Sequence, residues 1–304
     1  MKKTICALLL LSMALSLVSC EAVSELLRGN TQNEQSDRTS DVEQKDPPSP
    51  PDTSDDDKED DNNDNDEEEN EEMTGNTVIE EWLKTDRERA YYDVLEGKTL
   101  NFIGDSLFAG AGIGVEYSWP NLLGEKYSMT YDNKGISGCT LSACEGGPNP
   151  IVTRYTSMPD NDPDIVVFEG GRNDYNKGSV LGHHIYKEPE TFKGALAILI
   201  EGLREKYPDA LIIGVTFWNA TDKQNDFGYV CNDYSKAMIE VCDVYGVPCI
   251  DATDEDACGI RMTDKTFREE YSCRPSDVCH LNFEGMKLAL RFFEKEIAEI
   301  YSKQ

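Results

Sequence analysis

Segments with two different hydrophobic patterns alternate along the chain from Thr77 to Gln304. Short apolar runs are typical of buried strands, and longer stretches repeat apolar residues every three or four positions, as amphipathic helices do. Strands are predicted at 100–103, 127–131, 164–169, 210–217 and 247–250, and helices at 79–96, 119–125, 190–207, 234–245 and 281–301. Strands that alternate with helices predict an α/β fold, a three-layer α/β/α sandwich with a central parallel sheet.

The amino terminus has the pattern of an export signal. A basic start at Lys2 and Lys3 precedes an apolar stretch, residues 4–18, which is too short for an ordinary membrane span and ends near Cys20. Residues 17–20 resemble a bacterial lipobox, which implies cleavage before Cys20 and acylation of that cysteine. Residues 1–20 are therefore predicted to be a lipoprotein signal peptide. An ordinary cleaved signal peptide is the alternative, and in either case the protein is exported.

The segment 21–76 is predicted to be a disordered acidic linker. Residues 41–72 hold 17 acidic and 2 basic side chains, four prolines and almost no apolar residue. Such a segment cannot bury enough apolar surface to offset the entropy of ordering, and its charges repel one another. The folded domain is expected to span residues 77–304, tethered by lipid on Cys20 to the outer face of a bacterial membrane, at the cell surface or in the periplasm.

The net charge limits the kinds of molecule that the domain is expected to bind. The formal net charge of the chain is -30, and about half of it remains in the folded domain after the linker is set aside. An acidic domain repels nucleic acid and anionic lipid surfaces, so no nucleic-acid partner is expected.

Three residues combine into a possible nucleophilic site. Ser106 follows the apolar run 100–103 directly after Gly104 and Asp105, and so is expected at the carboxyl end of a strand, where open α/β folds bind ligands. Asp277 and His280 lie three residues apart, just before the last predicted helix. A serine needs a base to take its proton, and an acid that orients the base. The alternatives are a simple turn around Ser106 and a helix-capping loop around Asp277.

Two further loops offer hydrogen-bond donors for an oxyanion. Asn173 follows the strand predicted at 164–169, and its side-chain amide is expected beside Ser106 at the same sheet edge. The loop 133–140 contains Gly135 and Gly138, where a backbone N–H can approach a ligand closely. Ordinary turn chemistry is the alternative explanation for both loops.

In this order, the blocks around Ser106, Gly138, Asn173 and 277–280 resemble the SGNH hydrolases, also called GDSL esterases and lipases. The resemblance covers about residues 97–295 and implies an SGNH hydrolase fold of the flavodoxin-like type. It implies that Ser106 is the nucleophile, that Asp277 and His280 are acid and base, and that Ser106, Gly138 and Asn173 form the oxyanion hole. Gly135 is a lesser candidate for the same donor. Cys139 departs from the family, which often has an acid there.

The sequence motifs of other nucleophilic, nucleotide-binding and metal-dependent enzymes are not matched in this chain. Phe108 stands where the nucleophile elbow of α/β-hydrolases needs a glycine, and there is no Walker lysine. No C-x-x-C pair occurs, and His183 and His184 are adjacent, so neither a metal nor a cofactor is expected.

Eight cysteines in the exported domain suggest disulfides, and a bridge from Cys279 to Cys258 or Cys273 would stiffen the loop of Asp277 and His280. Alternatively, several cysteines are small buried hydrophobic residues.

These observations predict an extracytoplasmic serine esterase that hydrolyses O-acetyl or short-acyl esters, with an acylated polysaccharide as the expected substrate. A lipase or lysophospholipase of the same family is one alternative. A surface binding module that keeps the fold without turnover is another. The oligomeric state, the acyl group and the alcohol are not determined by the sequence.

Overall fold

A computed structural model describes residues 75–85, 90–218 and 221–304. The predicted signal peptide, Cys20 and the linker up to residue 74 lie outside the described residues. The first described helix begins at Gly75, two residues before the predicted start of the domain. Within the described residues, no helix is both long and apolar enough to cross a membrane.

Five parallel strands form one sheet in the described residues. The strands are β1 Thr99–Gly104, β2 Thr130–Gly135, β3 Ile165–Glu169, β4 Leu211–Val215 and β5 Cys249–Ile250. Their order in the sheet is β2-β1-β3-β4-β5. All five residues of β3 and of β4 are buried, as expected for central strands that helices cover on both faces. The predicted central parallel sheet is confirmed. The strand order reverses between β1 and β3, and ligands of doubly wound folds bind at such a switch point.

Helices flank the sheet in two groups. The helices are α1 Gly75–Thr85, α2 Trp119–Lys126, α3 Ile151–Arg154, α4 Arg172–Lys177, α5 Phe192–Lys206, α6 Cys231–Tyr245, α7 Glu255–Cys258, α8 Lys265–Tyr271 and α9 Phe283–Tyr301. One group contains α2 and α9, which pack against each other, and the other contains α5, which packs against α3 and α6. Asn282 caps α9 by accepting the Gly285 N–H at 3.0 Å, so this helix begins where its polar cap predicts.

Two predicted elements are wrong. The strand predicted at 127–131 is displaced, because Tyr127 is the buried C-cap residue of α2 and the strand runs over Thr130–Gly135 instead. β2 lies at the sheet edge and carries polar residues, so hydrophobic periodicity identifies it poorly. The helix predicted at 79–96 ends at Thr85, and a single 3₁₀ turn forms at Asp93–Leu95. Before that turn, Tyr92 is extended and donates its N–H to the Tyr127 hydroxyl.

A buried ion pair joins the two helices of the first group. Lys126 Nζ lies 2.5 Å from Glu294 Oε2, and both side chains are at most 2% exposed. The Tyr127 hydroxyl donates to the same carboxylate oxygen at 3.0 Å. Because two charges with so little access to water depend on each other, each needs the other to remain buried, and the pair links α2 to α9.

Candidate active site

Ser106 lies at the carboxyl end of β1, beside the switch point of the sheet. Gly104 is the last residue of β1, and only glycine fits there, because a Cβ would lie 2.6 Å from the Phe108 ring. The chain then turns tightly, and the Ala109 N–H donates to the Asp105 carbonyl at 3.0 Å. This turn places the Ser106 hydroxyl in the wall of a cleft, where the residue is 7% exposed.

A hydrogen-bonded series runs from Ser106 through His280 to Asp277. The Ser106 Oγ lies 2.9 Å from His280 Nε2, and His280 Nδ1 lies 3.0 Å from Asp277 Oδ2. With Nδ1 protonated and donating to the carboxylate, Nε2 is free to accept the serine proton. The structure therefore brings together the three residues that the sequence analysis singled out, across 174 positions of chain.

Asp277 also organises its own loop. Its Oδ1 accepts the backbone N–H groups of Cys279 and His280, both at 2.9 Å. These amides belong to the loop and α9 is capped by Asn282, so Asp277 does not cap the helix. Its Oδ1 stabilises the loop and its Oδ2 contacts His280. Burial acts to raise the pKa of Asp277, but the two backbone donors and the imidazole outweigh it, and the pKa is lowered. The carboxylate thus stays ionised opposite His280.

Trp218 stabilises the same loop with a hydrogen bond. Its indole N–H donates to the Cys279 carbonyl at 2.8 Å. On the other side, the Ser272 hydroxyl donates to the Asp277 carbonyl at 2.9 Å, and Cys273 N donates to the His280 carbonyl at 3.0 Å. Backbone atoms on both sides of the imidazole are therefore held in place, which keeps His280 aimed at Ser106.

Asn173 is fixed next to Ser106 by two acceptors. It lies in the first turn of α4, where the sequence analysis had expected a loop, and its Nδ2 donates to Asp105 Oδ2 at 3.0 Å and to the Cys139 carbonyl at 2.9 Å. Both hydrogens of the amide are engaged in this geometry. Asn173 therefore donates to an oxyanion only by sharing or releasing one of these bonds.

Gly138 and Gly135 differ in their availability as backbone donors. Gly138 lines the cleft with Ser106 and Asn173, and its φ of 79° is a conformation that favours glycine. Gly135 instead pairs with Gly104 in the sheet and donates its N–H to Asn133 Oδ1 at 2.9 Å. Gly138 and Asn173 line the cleft and Gly135 does not, so Gly138 is the better placed of the two glycines.

A pair of buried acids below Ser106 was missed by the sequence analysis. Glu169, the last residue of β3, accepts the Asp105 N–H at 3.1 Å through Oε2. Burial and the neighbouring Asp105 carboxyl raise the pKa of Glu169 well above its ordinary value. Burial also raises the pKa of Asp105, which holds the Asn173 amide. An acid at the end of an otherwise apolar buried strand was the available signal.

Arg154 joins the ends of β1 and β2 near the site. Its guanidinium donates to the Gly104 carbonyl at 2.6 Å and to the Lys134 carbonyl at 2.5 Å, which links the ends of the two strands. Cys139, the departure from the family pattern, lies beside it and is 1% exposed. Burial raises the pKa of the Cys139 thiol to about 12, so this side chain is a neutral packing group.

The eight cysteines of the described residues are all free thiols. The bridge considered from Cys279 to Cys258 or Cys273 is therefore not present. The Cys258 thiol contacts the Ala252 carbonyl at 3.4 Å, and the Cys273 thiol contacts the Leu281 carbonyl at 3.1 Å. Hydrogen bonds and packing, without a disulfide, hold the loop of Asp277 and His280.

The cleft around these residues has a volume of about 530 Å³. Its lining is mostly polar or charged, and the larger apolar side chains of the domain do not contribute to it. The lining residues are Ser106, Ala111, Ser137, Gly138, Arg172, Asn173, Asn176, Arg274, Ser276, Asp277, Val278, Cys279 and His280.

A serine, an imidazole and a carboxylate bonded in series at the switch point of a parallel sheet place this protein among the α/β proteins with a hydrolase-type triad. Comparison with known families narrows the class. The profile of the GDSL-like Lipase/Acylhydrolase family matches residues 102–288. The chain belongs to this family.

Solved structures agree with the fold. One crystal structure is 28% identical, covers 67% of this chain and 98% of its own, and has a TM-score of 0.61. A protein from Lactobacillus plantarum is 25% identical over 67% of this chain and 98% of its own, with a TM-score of 0.60. A search of curated proteins found no match.

Proposed function

We propose that this protein is an extracytoplasmic serine esterase that hydrolyses O-acetyl or short-acyl esters, with acylated carbohydrate as the substrate class. The observation that carries the proposal is the 2.9 Å contact between Ser106 Oγ and His280 Nε2, backed by the 3.0 Å contact to Asp277. These distances fit proton transfer from a serine that attacks a carbonyl carbon. Membership of the GDSL-like lipase/acylhydrolase family supports ester hydrolysis.

The mechanism assigns one role to each residue. His280 accepts the Ser106 proton as Oγ bonds to the ester carbonyl carbon, and Asp277 stabilises the resulting imidazolium. The tetrahedral intermediate collapses, the alcohol leaves with the proton from His280, and an acyl-enzyme remains on Ser106. Water then repeats the sequence, with His280 as base, and releases the carboxylic acid. The N–H groups of Ser106 and Gly138 and the amide of Asn173 are the proposed oxyanion donors.

The lining of the cleft favours short acyl groups over long ones. A fatty acyl chain gains about 0.8 kcal/mol for each methylene it buries, which requires an apolar surface. Among the described residues of the cleft, the only aliphatic side chains are Ala111 and Val278. This scarcity of aliphatic side chains supports a short acyl group over the long acyl chain of a lipase or lysophospholipase substrate.

Activity tests separate an esterase from a non-catalytic binding module. We expect Ser106→Ala to abolish hydrolysis of para-nitrophenyl acetate and covalent labelling by a fluorophosphonate, because no other described residue of the cleft has a hydroxyl against an imidazole. Ser157→Ala, at an exposed serine, is the matched control and should keep both. Wild-type protein that neither hydrolyses esters nor takes up the label would support the binding module instead.

The membrane anchor is a separate part of the proposal. It is supported by the basic start, the short apolar stretch and Cys20 at its end. Cys20→Ala should move the protein out of the detergent phase or leave it unprocessed, since lipid attachment needs that thiol. Cys6→Ala, within the apolar stretch, is the control and should leave partitioning unchanged. Equal partitioning of wild type and Cys20→Ala, with the signal segment cleaved from both, would contradict the anchor.

A further inference from the structure

Arg172 is a buried cation in the wall of the cleft with only uncharged partners in direct contact. It is 9% exposed, and its Nη1 donates to Asn176 Oδ1 at 2.9 Å. Its other contacts are the Tyr175 ring, 5.3 Å from the guanidinium carbon, and the thiols of Cys231 and Cys279. Its Nε is buried and has no hydrogen-bond partner among the described residues, while the residue as a whole lines the cleft.

The thiols do not supply the missing negative charge. Burial raises the pKa of Cys231 to about 11 and that of Cys279 to about 12, so both are neutral. The Asp105 carboxyl attracts Arg172 electrostatically but makes no hydrogen bond to it. The oxygens of Asp105 accept hydrogen bonds from the Asn173 amide and the Leu107 N–H instead. A desolvated guanidinium without a directly bound anion is unfavourable unless a ligand provides one.

A second arginine stands at the exposed side of the same cleft. The Arg274 side chain is 78% exposed, and its Nη2 lies 3.9 Å from Asp277 Oδ2, beyond hydrogen-bond distance. The Asp277 oxygens are already bonded to His280 and to backbone donors, so most of the Arg274 fork is free for a ligand. Two arginines therefore line a single cleft in a domain that is otherwise strongly acidic.

From this juxtaposition we infer that the esterase acts on anionic esters, in which the acyl or the alcohol part carries a carboxylate or phosphate that Arg172 and Arg274 bind. The inference rests on the proposed esterase function and names its substrate class. A guanidinium fork matches either oxyanion through two parallel hydrogen bonds, which a neutral ester cannot form.

Matched ester pairs test the inference on the purified full-length protein. On the acyl side, para-nitrophenyl hemisuccinate is compared with the neutral para-nitrophenyl isohexanoate, which has a similar shape. On the alcohol side, meta-carboxyphenyl acetate is compared with meta-carbamoylphenyl acetate. We expect kcat/KM to be about tenfold higher for the anionic member of at least one pair, and the advantage to shrink with added salt. Competitive inhibition by benzoate and by phenyl phosphate, against neutral benzamide, tells a carboxylate preference from a phosphate preference.

Substitutions of the two arginines test whether they cause the preference for anionic esters. Arg274→Gln, at the exposed position, should remove most of the anionic preference. Arg172→Lys should weaken it, because lysine keeps the charge but loses the planar fork. Arg261→Gln removes an equal charge from an exposed arginine that pairs with Asp256 outside the cleft, and should leave the preference unchanged.

The outcomes separate this inference from the proposed function. If neutral and anionic esters are hydrolysed equally, through Ser106, the anion site is wrong and the esterase stands. An anionic preference that persists in Arg274→Gln and Arg172→Lys also overturns the inference. If no ester is hydrolysed, the proposed function fails, and calorimetric binding of benzoate and phenyl phosphate to wild type and Arg274→Gln still decides whether the arginines bind anions.

Discussion

The buried carboxyl of Glu169 offers the sharpest test of how the residues beneath Ser106 support the active site. Its Oε2 accepts the Asp105 N–H at 3.1 Å, while its Oε1 has no hydrogen-bond partner among the described residues. Because burial and the Asp105 carboxyl raise its pKa, Glu169 is expected to be neutral over a range above its ordinary value of 4.5. A neutral glutamic acid and a glutamine have nearly the same shape and hydrogen-bonding groups.

We therefore expect Glu169→Gln to change the free energy of unfolding by less than about 1.5 kcal/mol, since an oxygen acceptor for the Asp105 N–H remains. Glu169→Ala should cost roughly 3 to 5 kcal/mol. It leaves that N–H unsatisfied, which costs about 1 to 3 kcal/mol, and it opens a cavity beneath the Ser106 turn. Asn173 should also lose its fixed position in Glu169→Ala, so kcat should fall more than KM rises, whereas Glu169→Gln should restore kcat.

The pH dependence has a definite sign. Between 4.5 and the raised native pKa, native Glu169 holds a proton that the unfolded chain has lost. Its contribution to stability is therefore complete below pH 4.5 and is lost as pH rises, by up to about 1.4 kcal/mol per pH unit. Glu169→Gln has no such proton. Its stability relative to wild type should rise with pH in urea unfolding series from about pH 5 to about pH 8. Parallel stability curves for the two proteins would show that Glu169 is ionised in the native state and refute this reasoning.

Three further predictions concern other parts of the domain. Asp277→Asn should lower kcat by roughly 10³-fold or more in steady-state assays with little change in KM, because His280 loses the partner that sets its tautomer; an unchanged kcat would remove Asp277 from the mechanism. Gly138→Ala should lower thermal stability by about 1 to 2 kcal/mol through its φ of 79° alone, since a Cβ there meets no atom within 4 Å; an unchanged melting temperature would contradict this. Lys126→Met should cost about 3 to 5 kcal/mol in urea unfolding by leaving Glu294 buried without its ion-pair partner, and Lys126→Met with Glu294→Leu should recover much of the loss; equal stability of the single and double variants would show that the charge is not the cause.

Much of the fold and the triad could be predicted from the chain alone. The central strands are continuous apolar runs, and α9 has both a clear period and a polar cap at Asn282, so local patterns identify them. β2 was misplaced because an edge strand needs no apolar run, and the Tyr127 side chain that suggested a strand belongs to the end of α2. The contact between Ser106 and His280 was predictable because few residue types combine into a nucleophile and its base.

The amino-acid sequence by itself determined the chemistry available to this protein: a serine, a histidine and an aspartate at element ends, and an acidic chain in which arginines are scarce. Only the tertiary structure decided which of these groups meet. Pairing of β1 with β3 brings Glu169 to Asp105 across 64 positions and Asn173 to Asp105 across 68. It also leaves Arg172 facing neutral thiols instead of an acid. Strand order and burial are properties of the whole packed sheet, and burial sets whether an acid is charged or a cation is compensated, so no local pattern of residues encodes them.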